Sequence, residues 1–373
     1  MERVKIVTLL LTHRCNLRCS YCYVRDYSGG DMALETAKET VRRSFAESAG
    51  EYDLLEFTFL GGEPFAAFPV LRALSEWIWA GEWPLPYRLT AVTNGTLLTG
   101  EVKVWLEENR RRIAPALSFD GETAQNVSRS GSLSRVDLDW YHRLWPDLAV
   151  KMTVAEENVG GLFRDITSLW ERGIPVNDTF AGGVKPWSEA SLDELDRQLT
   201  MLTEYLLEKR PPFRSNFLSV DLTGVLSPAP ARPFRCGAGE SRWTYDTNGR
   251  KYPCHLLSPL VLPEDACKTA AGAPFLRSPR CRGCPLDPLC PRCDGNSFRF
   301  FGHLGEREAC VCSLFKRQIV HACRYQVREI LHRERRTERD GLVITAINTL
   351  MTQLQSWMPS AGATQERKGA DQT

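Results

Sequence analysis

The chain has 373 residues, of which 43% are hydrophobic and 25% charged, so it is long enough for two or three packed units. Its 47 basic and 46 acidic side chains nearly cancel, which disfavours a surface built to bind nucleic acid or an anionic membrane. It has no apolar run of about 18 residues and no cleavage site near its start. We therefore expect a cytoplasmic protein without a membrane span or a signal peptide.

Short apolar runs alternate with longer amphipathic ones through the first two-thirds of the chain. Strands are predicted at residues 4–11, 54–60, 87–93, 114–119, 148–154 and 176–180. Helices are predicted at residues 34–48, 67–79, 101–109, 136–144, 162–171 and 191–207. This alternation indicates parallel β/α units. Six units fit an open, partial (β/α)6 TIM-type barrel better than a closed eightfold barrel, and a doubly wound sheet is the alternative.

The composition changes after this α/β region. Residues 1–208 are predicted to form the barrel, and the proline-rich residues 209–233 a bridge. Residues 234–312, rich in Cys, Pro and Gly, are predicted to be a small α+β domain that needs metal to hold its shape. Residues 313–358 should contain two helices, at 313–336 and 342–357. The polar tail, residues 359–373, is predicted to be disordered.

Cysteine is the unusual feature of the composition. The chain has 13 cysteines, three at positions 15, 19 and 22 and ten between positions 236 and 323, and none in the 213 residues between these groups. A reducing cytoplasm makes a disulfide framework improbable, so clustered thiols point to metal. Two separate metal regions are therefore predicted.

The first group, Cys15, Cys19 and Cys22, has the spacing CxxxCxxC directly after the first predicted strand. Three thiolates on one loop suit three irons of a [4Fe–4S] cluster and leave the fourth iron for another ligand. The alternative is a zinc site, but no fourth Cys or suitably spaced His follows. Further motifs follow the next three predicted strands: Gly61-Gly62-Glu63-Pro64, Thr93-Asn94-Gly95 and Ser118-Phe119-Asp120-Gly121.

The second group begins with Cys236, twelve residues, Gly249, four residues and Cys254. It continues as Cys281-x2-Cys284-x5-Cys290-x2-Cys293, followed by Cys310 and Cys312. A pair of zinc knuckles is the alternative, but the five-residue gap is too short for two knuckles to fold back on one ion.

In this order, the motifs resemble the radical S-adenosylmethionine (SAM) superfamily, and the second group resembles the SPASM domain of its peptide and protein maturases. One departure is the two residues between Cys290 and Cys293, where that family has three. The resemblance implies SAM and three [4Fe–4S] clusters as cofactors, with an open iron at the first cluster that binds SAM. It assigns the SAM pocket to Tyr21, Gly61, Gly62, Glu63, Pro64, Thr93, Asn94, Ser118 and Asp120. Lys151 or Arg129 would pair with the carboxylate of SAM.

The same resemblance distributes the remaining thiols over two auxiliary clusters. The first would take Cys236, Cys254 and Cys293, and the second Cys281, Cys284, Cys290 and either Cys310 or Cys312. Seven ligands are one fewer than two complete clusters need. We therefore hypothesise that a substrate thiolate or amide binds the open iron of the first auxiliary cluster, or that Cys267 closes it.

The implied function is a radical SAM peptide maturase that makes a thioether or carbon–carbon crosslink. The alternatives are oxidation of a Cys or Ser to formylglycine, as in sulfatase-maturing enzymes, peptide epimerisation and, outside catalysis, an iron–sulfur electron carrier. Where the sulfatase-maturing family has a catalytic Asp, this chain has His255, which is a weak candidate for the catalytic base and better suited to donate a hydrogen bond near a cluster sulfur.

The implied partners are a ribosomally made peptide or protein and a reductant, flavodoxin or ferredoxin. Only fourteen residues precede Cys15, fewer than a leader-binding domain needs. We therefore expect a separate leader-binding protein, recognition by the C-terminal helices, or no leader at all.

Overall fold

The computed structural model describes residues 2–183, 185–227, 234–270 and 272–354. Its first two-thirds is an α/β fold in which parallel strands alternate with helices, as predicted. Six strands follow one another: β1 (Val4–Thr12), β2 (Leu54–Gly61), β3 (Tyr87–Thr93), β4 (Ile113–Leu117), β5 (Val150–Val154) and β6 (Val176–Phe180). The predicted bounds of the third and sixth strands agree with these, and the other four differ by one to two residues.

The strands lie side by side in chain order, which is the arrangement of an open, partial barrel. The parallel pairs β1–β2, β2–β3 and β3–β4 form one continuous sheet, and β5–β6 forms a second parallel pair. A parallel bridge between Ser118 and Lys151 joins the two sheets, and the Phe119 amide donates to the Lys151 carbonyl at 2.9 Å. The predicted partial barrel is therefore correct, and the doubly wound alternative is not adopted.

The helices cover the outer face of the strands. They are α1 (Leu34–Ala46), α2 (Phe68–Ala80), α3 (Gly100–Glu108), α4 (Gln125–Ser128), α5 (Leu138–Leu144), α6 (Leu162–Glu171) and α7 (Glu189–Lys209). Alternate strand residues such as Val7, Leu9, Phe57 and Phe59 are fully buried against these helices. Period-2 burial of this kind turns the other residues of each strand towards the lumen.

Two strands that the sequence did not predict extend this sheet. Strand β7 (Arg242–Tyr245), from the Cys-rich region, pairs in parallel with β1 and is followed by the short antiparallel strand β8 (Lys251–Tyr252). A buried 2.6 Å contact between His13 Nε2 and Asp246 Oδ1 fastens this addition to the loop after β1. The Cys-rich region is therefore built onto the edge of the barrel sheet.

The remaining helices are α8 (Glu264–Ala270), α9 (Asp294–Phe301), α10 (Ala309–Leu331) and α11 (Glu338–Leu354). Helix α10 begins four residues and ends five residues before the prediction. It packs with α11 in a separate apolar cluster that includes Phe315, Ile319, Ala346 and Leu350. The predicted tail, residues 359–373, and residues 228–233 of the predicted bridge lie outside the described residues. Within the described part, no helix is long and apolar enough to cross a bilayer.

Candidate functional site

The loop after β1 carries the first three cysteines at the carboxyl end of the strands, where β/α barrels place their chemistry. The Cys22 amide donates to the Cys19 carbonyl at 3.1 Å, and the Leu17 amide donates to Cys15 Sγ at 3.4 Å, so the loop turns tightly around its thiols. Burial raises the pKa of Cys19 to about 11, with smaller contributions from the neighbouring Cys22 and Cys15. The three thiols therefore form one electrostatic neighbourhood.

Two glycines bring the end of β2 against this loop. A Cβ on Gly61, which has φ +153°, would lie 2.0 Å from the Thr12 carbonyl oxygen, and one on Gly62 would lie 2.4 Å from that of Arg14. The Gly62 and Glu63 amides donate to the same two oxygens at 3.0 and 2.8 Å. The close backbone approach expected of these glycines is thus to the cysteine loop itself.

The Glu63 side chain is buried and joins the ends of β2 and β3. Its carboxylate accepts from the Thr93 hydroxyl and the Asn94 amide, both at 2.8 Å, and from the Phe65 amide at 3.2 Å. Burial raises the pKa of Glu63 to about 7 despite these donors. Pro64 then begins a buried 3-10 turn. Glu63, which the resemblance assigns to the SAM pocket, is here held by three donors from the protein.

Asn94 carries this network to the cysteine loop. Its side-chain nitrogen, Nδ2, donates to Asn16 Oδ1 at 3.0 Å and makes a long contact of 3.9 Å with Cys15 Sγ. Asn16 in turn donates to the Thr96 hydroxyl at 2.7 Å. The Thr93-Asn94 motif therefore positions the first cysteine.

Asp120, after β4, organises the other side of the loop. Its Oδ2 accepts from Tyr21 Oη at 2.5 Å and from Ser128 Oγ at 2.7 Å, and it lies 3.0 Å from Arg129 Nε. Its Oδ1 accepts from the Thr153 amide at 3.0 Å. The Arg129 guanidinium lies 5.4 Å from the centre of the Tyr21 ring. Arg129, a candidate partner for a ligand carboxylate, is thus committed to Asp120.

Ser118 and Lys151 lie where β4 meets β5. The Ser118 amide donates to the Thr93 carbonyl at 2.8 Å. The Lys151 side chain belongs to the lumen-facing set of β5 and keeps contact with solvent. Burial lowers the pKa of Lys151, an effect that Glu56 opposes. Lys151 is therefore a cation that faces the barrel lumen.

Four cysteines of the second group line one cavity of about 360 Å³. They are Cys281, Cys284, Cys290 and Cys312. Cys310 points elsewhere, because it is buried and its Sγ donates to the Gly183 carbonyl at 2.8 Å. Of the two alternatives left open by the sequence, the structure brings Cys312 to the other three thiols.

A second neighbourhood near the barrel mouth contains three further cysteines of this group, Cys236, Cys254 and Cys293. Cys254 and Cys293 pack in the same apolar cluster, and burial raises the pKa of Cys293 to about 12, with contributions from Cys254, Glu308 and Cys236. Cys267 is buried in another cluster, against which Cys254 also packs, and its Sγ contacts the Leu262 carbonyl at 3.8 Å. Burial raises the pKa of Cys267 to about 11, and the leading charges that act on it are those of Asp246 and Glu264 rather than those of the three thiols.

His255 lies beside the second neighbourhood. Its ring centre is 5.1 Å from that of Tyr23, and its Nδ1 is 3.8 Å from Cys254 Sγ. Burial, and then the positive charge of Lys151, lower the pKa of His255 to about 4, so the imidazole is neutral near pH 7. This geometry places a neutral ring against the Cys254 sulfur.

The space between the thiols of the second group suits an iron–sulfur cluster. Among the described residues, no three or more Cys, His, Asp or Glu side chains converge tightly enough to hold a metal ion. A cluster contributes its own sulfide, so its thiolates stand apart around a larger space, as they do around the cavity of about 360 Å³. The buried thiols would lose their protons when iron binds.

Two buried charges were missed by the sequence reasoning. Arg307 and Glu308 are 5% and 2% exposed, and both line a cavity that also contains Cys293. The sequence signal for them is weak: they lie shortly before Cys310-x-Cys312, but a charged pair in a turn is usually exposed to solvent.

Residues 9–137, which contain the first cysteine motif and the ends of β1 to β4, match the family model described as the radical SAM superfamily. A curated relative is the antilisterial bacteriocin subtilosin biosynthesis protein AlbA of Bacillus subtilis, 25% identical over 269 residues that cover 67% of this chain and 54% of AlbA. Another is a GTP 3',8-cyclase of Erythrobacter litoralis, 28% identical over 208 residues that cover 54% of this chain and 60% of the cyclase. The chain thus spans roughly half the length of the curated relatives it matches.

Among solved structures, native anSMEcpe with bound AdoMet and the Kp18Cys peptide has a TM-score of 0.65. It is 16% identical to this chain, and the match covers 92% of this chain and 99% of that one. At this identity the likeness establishes the fold alone.

Proposed function

Because the chain carries a radical SAM domain and is an enzyme of that superfamily, we propose that it is a peptide maturase. Its reaction would install a thioether or carbon–carbon crosslink in a ribosomally made peptide. When bound, SAM and the first cluster supply a 5′-deoxyadenosyl radical that removes a hydrogen atom from an unactivated carbon. The cofactor set we propose is SAM with three [4Fe–4S] clusters.

The observation that carries this proposal is the cavity of about 360 Å³ with its four cysteines. A barrel that only generated a radical would not need a second thiol-lined site. A crosslink removes two hydrogen atoms from the peptide, so one electron must leave after the first hydrogen is abstracted. A Cys-rich region on the edge of the barrel sheet offers a place for an acceptor. The likeness to AlbA, a bacteriocin biosynthesis protein, supports a peptide as the substrate.

The chain's own residues would hold the reaction centre rigid. Glu63 and Asn94 tie the strand ends to Cys15, while Asp120 fixes Tyr21 beside Cys19. We assign the SAM pocket to Tyr21, Gly61, Gly62, Glu63, Pro64, Thr93, Asn94, Ser118 and Asp120. Lys151, which faces the lumen, would pair with a carboxylate of the cofactor or the peptide.

The low pKa of His255 favours crosslink formation over formylglycine formation, which would need a base at this position. A base with a pKa of about 4 is a weak proton acceptor near neutral pH. His255 would instead position the Cys254 sulfur, 3.8 Å from its Nδ1. Peptide epimerisation is the remaining catalytic alternative. A protein that only carries electrons would not need a radical SAM domain, which disfavours the iron–sulfur electron carrier. A flavodoxin or ferredoxin would supply the reducing electron.

The first test measures iron and SAM cleavage on anaerobically reconstituted protein. The wild type should hold about twelve irons, and a Cys15→Ala, Cys19→Ala, Cys22→Ala triple variant about eight with no 5′-deoxyadenosine formed. Cys267→Ser is the matched control, because this thiol lies outside both neighbourhoods, and it should change neither value. A wild type with about four irons would refute the three-cluster proposal.

The second test identifies the reaction by the mass of the product. Peptides encoded by adjacent short reading frames are incubated with enzyme, SAM and reductant. A crosslink removes two hydrogen atoms and protects the joined residues in tandem fragmentation. An unchanged mass with an inverted stereocentre would instead establish epimerisation, and a formylglycine aldehyde would establish the sulfatase-maturase type of oxidation.

A further inference from the structure

A cavity of about 470 Å³ lies between the end of β6, the start of α9 and the start of α10. Cys293 and Asn296 line it from the Cys-rich region, and Asn177 and Thr179 line it from the barrel. Glu308, the residue directly before α10, lines it beside Arg307. The cavity therefore lies between Cys293, a thiol of the second neighbourhood, and a buried pair of opposite charges.

This pair has more polar atoms than partners. Arg307 Nη1 donates to the Pro291 carbonyl at 3.1 Å, but Arg307 Nε and Nη2 and Glu308 Oε1 have no hydrogen-bond partner among the described residues. Glu308 also makes no side-chain capping bond to α10. A buried polar group without a partner costs roughly 1–3 kcal/mol, and more when it is charged. Such a group in a cavity indicates a missing ligand.

We propose that the Glu308 carboxylate is the fourth protein ligand of the auxiliary cluster held by Cys236, Cys254 and Cys293. This inference rests on the cluster set of the proposed function. Three thiolates leave one iron of a [4Fe–4S] cluster without a protein ligand. The Glu308 carboxyl would release its proton to solvent and bind that iron through Oε1. This bond would complete the coordination of the iron and give Oε1 the partner that it lacks among the described residues.

The other candidates for this position are engaged elsewhere. The Cys310 thiol donates to the Gly183 carbonyl at 2.8 Å, and the Cys267 thiol lies against the Leu262 carbonyl at 3.8 Å. Glu308, by contrast, shares a cavity with Cys293 and is close enough for its charge to act on that thiol. Its place at the amino end of a 23-residue helix also favours the ionised carboxylate.

Arg307 explains how a carboxylate is tolerated here. Its guanidinium lines both this cavity and the one of about 360 Å³ that contains Cys290. A buried cation between two clusters offsets the negative charge of a carboxylate bound to one of them. Arg307 is therefore a positioning residue for Glu308.

The test uses the Cys15→Ala, Cys19→Ala, Cys22→Ala background, in which only the auxiliary clusters remain. Glu308→Ala and Glu308→Cys are compared with Glu306→Gln, a matched control that lies near Cys281 instead. The readout is the electron paramagnetic resonance spectrum of the reduced protein, recorded with and without added 2-mercaptoethanol. Iron content is measured on every sample.

In the background and in Glu306→Gln, the spectrum should not respond to the thiol. In Glu308→Ala one cluster signal should shift on its own and shift again when the thiol is added, whereas Glu308→Cys should hold its iron and resist the thiol. Unchanged spectra in Glu308→Ala, or a thiol response in the background, would overturn the assignment. About four irons in the background would instead refute the two auxiliary clusters, and with them this assignment, through the iron count alone.

Discussion

The choice between Cys310 and Cys312 gives the sharpest single prediction. Cys312 lines the cavity with three other thiols, whereas the Cys310 Sγ donates to the Gly183 carbonyl at 2.8 Å. Cys312→Ser should therefore remove a ligand from the second auxiliary cluster, and Cys310→Ser should not. The two substitutions are chemically identical and only two residues apart, so each is the control for the other.

The expected magnitudes follow from these environments. Cys312→Ser should lower the iron content of reconstituted protein from about twelve to about eight, since one cluster of four irons is lost. Cys310→Ser replaces a weak hydrogen-bond donor with a stronger one, so the free energy of unfolding should change by about 1 kcal/mol or less. The variant should keep about twelve irons. Iron, sulfide and the visible absorbance near the cluster bands would be measured on both variants after anaerobic reconstitution.

The reverse pattern, with iron lost only in Cys310→Ser, would refute the reasoning from the cavity. Equal loss in both variants would mean that the amino end of α10 rearranges when the cluster forms. Equal retention would mean that three thiolates suffice for the second auxiliary cluster. Far-ultraviolet circular dichroism of both variants shows whether a loss of iron merely reflects unfolding.

Three further predictions concern the barrel mouth. Tyr21→Phe removes the 2.5 Å hydrogen bond to Asp120, so the rate of SAM cleavage should fall and the free energy of unfolding should drop by roughly 1.5–3 kcal/mol. If neither the SAM cleavage assay nor thermal unfolding changes, the role given to this bond is wrong. Burial raises the pKa of Glu63 from 4.5 to about 7, so the folded state keeps a proton that the unfolded state has released, and stability falls as pH rises between these values. Glu63→Gln should therefore gain up to about 3 kcal/mol relative to wild type between about pH 5 and about pH 8, as measured by thermal unfolding, and a constant difference would refute the shift. Gly61→Ala places a Cβ 2.0 Å from a backbone oxygen and should prevent soluble expression. The control Gly50→Ala has no atom within 4 Å of its Cβ and should lower the free energy of unfolding by only about 1 kcal/mol, because of its positive φ. If both variants are soluble and melt at the same temperature, the close approach at Gly61 is refuted.

The sequence predicts the barrel well because its elements are set by local patterning. Apolar runs with period 2 and amphipathic runs with period 3.6 alternate, and each such run is long enough to be recognised alone. Strand β7 escapes this logic. It has four residues, and its partner β1 lies more than two hundred positions earlier, so only tertiary pairing reveals it. The same holds for the contact between His13 and Asp246 that fastens it.

The motif residues illustrate a second limit. Spacing predicts that Glu63, Asn94 and Asp120 follow neighbouring strands, and the structure brings them to one edge of the barrel as expected. It does not predict which of their atoms face ligand and which face protein. Both oxygens of Glu63 and of Asp120 accept from protein donors. Side chains that a family motif suggests as ligand contacts thus also act as braces, because a buried carboxylate needs donors from whatever surrounds it.

Helix geometry explains why the sequence left Cys310 and Cys312 open. Each helical residue turns by about 100°, so two positions separated by one residue point in directions about 200° apart. Only one of them can face a cavity beside the helix, and which one depends on where the helix is docked. Phe315 and Ile319, three and seven positions after Cys312, share its side of α10 and pack with α11. Leu314, four positions after Cys310, packs instead in the core of the barrel. Since this docking fixes the rotation of α10, the packing of the C-terminal helices selects the ligand at its amino end.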